Sequence, residues 1–174
     1  MKKILVVAFV VFFVVALYAQ PKVIGHRGCR DVEGQYENTI SSLKYAYEVG
    51  CDAVEFDVQM TKDGKVVVYH GPKIPGYDKT IHQMTWEEAR AVVLPGGFRI
   101  PPLEEYFQEA KKLKDLVIVL DVKQQPTREL DMQLTEKIVN IAKECKTSIK
   151  KIKQYNNMKS DVLRVGEVIK IPAE

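Results

Sequence analysis

The chain has 174 residues, 26 of them Lys or Arg and 23 Asp or Glu, for a formal net charge of +3. So small an excess argues against a nucleic-acid partner, although the basic residues gather toward the C-terminus. Three widely spaced cysteines, an odd set, imply no disulfide framework.

Lys2-Lys3, a charge-free run over 4–19 and the polar or helix-breaking Gln20-Pro21-Lys22 read as a secretory signal over 1–19, cleaved after Ala19. The run is shorter than the roughly 18 residues a spanning helix needs. Export to a periplasm, wall or exterior is expected, with a retained membrane anchor as the alternative. Val23-Ile24 is a short apolar strand ending at the polar loop Gly25-His26-Arg27-Gly28, where His26 is a candidate reacting group or a satisfied loop histidine. Asn38 can cap a helix over 39–49, with Ile40, Leu43 and Tyr47 on one face and Gly50 past its end. Cys29 follows one expected strand and Cys51 precedes the next, so a parallel sheet would hold them at opposite ends, too far apart to bridge.

The strand 53–58 carries Val54-Glu55-Phe56-Asp57-Val58. Residues two apart share a face, so Glu55 and Asp57 point one way and the apolar side chains the other. Two inward carboxylates need neutralising, and an oxygen-preferring divalent cation does so. If Asp63-Gly64 forms a two-residue hairpin loop, Lys62 pairs with Lys65 and Asp57 stands opposite His70; a three-residue loop would shift this by one. An exposed hairpin face is the bland alternative. Farther on, Thr85 and Glu88 form a capping box for a helix over 86–93, Pro95-Gly96-Gly97 breaks it, and Pro101-Pro102 opens a helix from 103 to about 113. The apolar strand 116–123 ends with Asp121 and Lys123 on one face, as site residues or as strand-end ion partners. Strands alternating with helices, with polar residues at strand ends, describe an α/β layer with a site at one rim.

Gly25-His26-Arg27-Gly28, Tyr36-Glu37-Asn38-Thr39, Val54-Glu55-Phe56-Asp57-Val58, Thr61-Lys62-Asp63-Gly64 and Val67-Val68-Tyr69-His70 occur in the order and spacing of the glycerophosphodiester phosphodiesterases. The sequence resembles that family over 22–125, continuing through Met84-Thr85-Trp86-Glu87-Glu88, Ile100-Pro101-Pro102-Leu103-Glu104-Glu105 and Asp121-Val122-Lys123. The resemblance implies a partial (β/α) TIM-type barrel over 20–127 that hydrolyses glycerophosphodiesters. It makes His26 and His70 the acid–base pair, gives Glu55, Asp57 and Asp121 one Ca²⁺ or Mg²⁺, and sets Arg27 and Lys123 on the phosphate. Glu37 would support the loop. Three departures stand out: Tyr36 where the family has Pro, Gly71 where it has Asp, and Asp121 where it has Glu, a change shared with the sphingomyelinase D type phospholipases. Those enzymes supply an alternative substrate, a choline phospholipid. A closed eight-stranded barrel takes about 250 residues, so this half must pair with a second copy, be covered by its C-terminal segment, or be a poorly folding fragment.

Past Pro126 the pattern changes to a helix over 134–144, another over 148–155 and a strand over 168–171. Ile141-Ala142, Thr147-Ser148, Tyr155-Asn156-Asn157 and Val165-Gly166-Glu167-Val168-Ile169-Lys170-Ile171-Pro172 resemble a LysM module over 128–174. That resemblance implies a peptidoglycan or other N-acetylglucosamine glycan partner, and allows a non-catalytic wall-binding protein with a relic barrel. A small helical cap that binds nothing is the bland alternative.

Overall fold

The computed structural model describes residues 22–145 and the strand at 168–172. The signal over 1–19, the helix expected over 148–155 and the Tyr155-Asn156-Asn157 motif lie outside the described residues. Three parallel strands form the centre: β1 (Ile24–His26), β2 (Ala53–Met60) and β4 (Val117–Val122). β3 (Val66–Val68) runs antiparallel on the far end of β2, and β5 (Val168–Pro172) antiparallel on β4, giving the order β1-β2-β4-β5 with β3 off β2. The strand expected over 168–171 is thus present and joins the barrel sheet.

The outward faces of the strands are apolar and fully buried at Val54, Phe56 and Val58, as their alternation requires. Helices α1 (Ile40–Glu48), α3 (Leu103–Ala110) and α4 (Arg128–Glu144) cover them, while the short α2 (Trp86–Ala91) belongs to a second cluster around Val67, Ile81 and Ile100. On α3, Leu103, Tyr106, Phe107 and Ala110 fall at helical spacing on the buried side. Tyr106 lies 4.3 Å from Phe56 between ring centroids, and Phe107 packs edge-on to the same ring. Thr127 caps α4, which starts six residues before the helix expected from 134, and Leu134, Ile138, Ile141 and Ala142 enter the core shared with β2 and β4. Among the described residues, no helix is long and apolar enough to cross a membrane.

Three local expectations are corrected. First, the hairpin loop has three residues. β3 pairs with β2 as Val58–Val68, Gln59–Val67 and Met60–Val66, and the Thr61 N–H donates to the Lys65 carbonyl at 2.9 Å. A two-residue type I′ turn needs left-handed backbone at both loop residues; Gly64 adopts it (φ 83°) but Asp63 does not. Asp63 instead accepts the Trp86 N–H at 2.9 Å and so starts α2. The register therefore moves by one, and Asp57 accepts the Tyr69 N–H at 3.0 Å rather than facing His70.

Second, Thr39 and not Asn38 caps α1, in a reciprocal box with Ser42, because Asn38 is left-handed (φ 59°) and buried. Third, the loop after β1 folds back along the strand, so that the Cys29 and Cys51 thiols, expected at opposite ends, lie near one another. The Gly28 carbonyl lies 3.0 Å from where a Cβ on Gly25 would sit, and Gly28 (φ 78°) backs onto Ser42 of α1. Both thiols are free.

Candidate active site

The parallel registers bring the charged residues to one rim. β1 aligns His26 with Glu55, and β4 aligns Asp121 with Asp57. His26 and Asp121 lie at the C-terminal ends of β1 and β4, where loops carry chemistry in such folds, and Glu55 and Asp57 stand level with them on β2, which runs on to Met60. Carboxylate oxygens of Glu55, Asp57 and Asp121 lie within 4.8 Å of one another.

Asp57 is 1% exposed and held from several sides. The Asn38 amide donates to its Oδ2 at 2.7 Å and accepts its backbone N–H at 3.0 Å. Arg27 Nε stands 3.2 Å from Oδ2, and Lys123 Nζ 2.7 Å from Oδ1. Lys123 also donates to Asp121 Oδ2 at 2.7 Å. Burial works against the Lys123 charge, but the carboxylates of Asp121 and Asp57 together outweigh it and hold the ammonium above its ordinary range.

Arg27 adopts left-handed backbone (φ 55°), which turns its N–H onto Glu55 Oε2 at 3.0 Å while its guanidinium reaches Glu37 at 3.0 Å. Glu37 thus steadies the loop. Burial first, and Asp57 beside it, push the Glu55 carboxyl up to about 7, against the pull of that Arg27 N–H. His26 Nε2 stands 3.8 Å from Glu55 Oε2 with its side chain 59% exposed, at the open edge of the cluster. His70 follows β3. Burial lowers its pKa, and the charges it feels are those of Asp57, Arg27, Lys123 and Glu37, so it borders the same network by a route other than hairpin pairing.

Three carboxylates against two cations leave the rim short of positive charge, which adds to burial in raising the Glu55 carboxyl. An all-oxygen donor set of this kind fits a hard divalent cation such as Ca²⁺ or Mg²⁺. Tyr36 and Tyr69 lie near one another and near Glu37, and burial raises both phenols, Tyr69 to about 12. Two residues were missed from sequence. Asn38 read as a helix cap although it precedes the capping Thr39, and Gln59 drew no attention although strand parity puts it on the face of Glu55 and Asp57.

Residues 26–168 match the glycerophosphoryl diester phosphodiesterase family. The chain belongs to this family. The match runs past the 22–125 span of the motif resemblance and through most of the LysM-like stretch. Glycerophosphodiester phosphodiesterase of Caldanaerobacter subterraneus subsp. tengcongensis is 36% identical over 114 residues, which is 58% of this chain and 44% of that protein. A glycerophosphodiester phosphodiesterase crystal structure from Parabacteroides distasonis superposes with a TM-score of 0.68 at 33% identity, covering 79% of this chain and 61% of that one. An Oleispira antarctica phosphodiesterase in complex with the product sn-glycerol-3-phosphate superposes with a TM-score of 0.61 at 25% identity, covering 71% of this chain and 52% of that one. The chain spans about half the length of the curated relatives it matches. It has the TIM-barrel-like α/β fold of the glycerophosphodiester phosphodiesterases, in part.

Proposed function

We propose that this chain is a metal-dependent phosphodiesterase that hydrolyses glycerophosphodiesters to glycerol 3-phosphate and an alcohol. The convergence of Arg27, Lys123 and two histidines on the Glu55–Asp57–Asp121 cluster carries this reading. Those three carboxylates would hold one Ca²⁺ or Mg²⁺, which when bound neutralises charge on the phosphodiester. Arg27 and Lys123 clamp the phosphate oxygens. Burial favours neutral His70, so His70 takes the proton of the substrate hydroxyl adjoining the phosphate, and the new P–O bond closes a cyclic phosphate. Exposed His26 gives a proton to the departing alkoxide. Water then opens the ring with the two histidines in reversed roles, releasing glycerol 3-phosphate.

Phosphorus NMR of the products from glycerophosphocholine, beside sphingomyelin as the choline phospholipid, tests the substrate. A glycerol 3-phosphate signal from the first alone supports the reading. Turnover of sphingomyelin alone overturns it in favour of the phospholipid alternative that Asp121 motivates. The LysM-like tail, its peptidoglycan partner and export over the signal at 1–19 rest on sequence motifs. Pull-down of the chain by peptidoglycan tests the tail, and N-terminal sequencing of secreted protein tests the signal. A second copy that covers the open sheet would show as a dimer in sedimentation.

A further inference from the structure

Gln59 lies on β2 two residues beyond Asp57 and is 1% exposed. Its side-chain Nε2 donates toward three successive carbonyls: Tyr69 at 2.9 Å, His70 at 3.0 Å and Gly71 at 2.6 Å. A carboxamide has two N–H groups, so the three carbonyls share them, and the chain over 69–71 curls around one nitrogen. The β2–β3 ladder stops just before this curl, since the bond from Tyr69 N–H to Asp57 is its last. Past it, His70 has lost the ladder, and the residue that follows is Gly71, the least restrained backbone available.

We propose that Gln59 is a positioning residue that fixes the His70 imidazole against the carboxylate cluster by holding the Tyr69, His70 and Gly71 carbonyls. This rests on the reading of His70 as one of the acid–base pair. The same strand thereby sets both parts of the site: Glu55 and Asp57 through their own side chains, and His70 through Gln59. Any displacement of the 69–71 curl moves the imidazole while leaving Glu55, Asp57 and Asp121 on their strands.

The test is Gln59→Met, which keeps volume and removes the donor, made in the wild-type and the His70→Ala backgrounds. In the first, kcat on glycerophosphocholine falls about 10–100-fold while KM and calorimetric Ca²⁺ affinity stay within about threefold. In the second, the same change alters the residual rate by less than about twofold, because the group it acts through is gone. Equal losses in both backgrounds would overturn the proposal. The chain has three histidines, and their imidazole NMR signals give a second readout. Gln59→Met shifts or broadens that of His70 and leaves that of His26 in place; an unchanged His70 signal would equally overturn it. If the wild-type chain turns over nothing, the phosphodiesterase reading falls and the His70 signal alone decides. Gln59→Asn, which withdraws the amide by one methylene, carries the same comparisons should the Met variant not fold.

Discussion

Asp57 is almost fully buried, and what makes that burial tolerable is the company of Asn38, Arg27 and Lys123. Asn38→Gly keeps the left-handed backbone but removes the amide, so Ca²⁺ affinity measured by calorimetry should drop about 10–100-fold with the fold retained. Glu55 makes a second test. Its carboxyl is raised in the folded chain from 4.5 to about 7, so its contribution to stability is full below 4.5 and is lost as pH rises through about 7. The melting temperature of chelated protein should fall over that window, and the fall should shrink in Glu55→Gln or with cation added. Glu55, Asp57, Asp121 and Lys123 were legible in the sequence because strand parity alone decides which residues share a face. His70 was legible only as a motif residue: its place depends on a loop length that turns on whether Asp63 is left-handed. Asn38 was misread by one position, since Asn suits both an N-cap and left-handed backbone.

Elements show the same division between pattern and context. The loop between β1 and α1 is built around Gly28, whose added Cβ would sit 2.5 Å from Ser42 Oγ and 2.7 Å from its backbone carbon. With a left-handed φ as well, Gly28→Ala should cost about 3 kcal/mol in denaturant unfolding and disturb the Arg27 N–H that meets Glu55. On α3, the Tyr106 hydroxyl is buried with no hydrogen-bond partner among the described residues. Tyr106→Phe should therefore be neutral or stabilise by about 1 kcal/mol in the same measurement. The Pro101-Pro102 opening of α3 and the capping box of α2 were readable in the sequence. The start of α4 was not read, although Thr127 offers a cap and Leu130, four residues before Leu134, packs against the same core. Leu134→Ala should cost about 2–5 kcal/mol and lower the unfolding midpoint of the whole barrel segment in one transition, as a helix sharing its core requires.

At the scale of the whole molecule, three parallel strands and the antiparallel strand β3 suffice to bring every proposed reacting group to one rim, although the chain matches only about half the length of its curated relatives. The parallel centre was foreseeable from alternating strand and helix signals. The antiparallel pairing of β5 with β4 was not, since nothing in the local pattern of residues 168–172 names a partner as distant in sequence as residues 117–121. We propose phosphodiester hydrolysis as the reaction of this rim. The measurement that tests it most directly is release of glycerol 3-phosphate from glycerophosphocholine by the chain, with calcium, with magnesium and with chelator, beside a His26→Ala control. Turnover should require the cation and fall at least about 100-fold in the control. Absence of turnover from folded, cation-binding protein, or turnover indifferent to chelator and to His26, would contradict it.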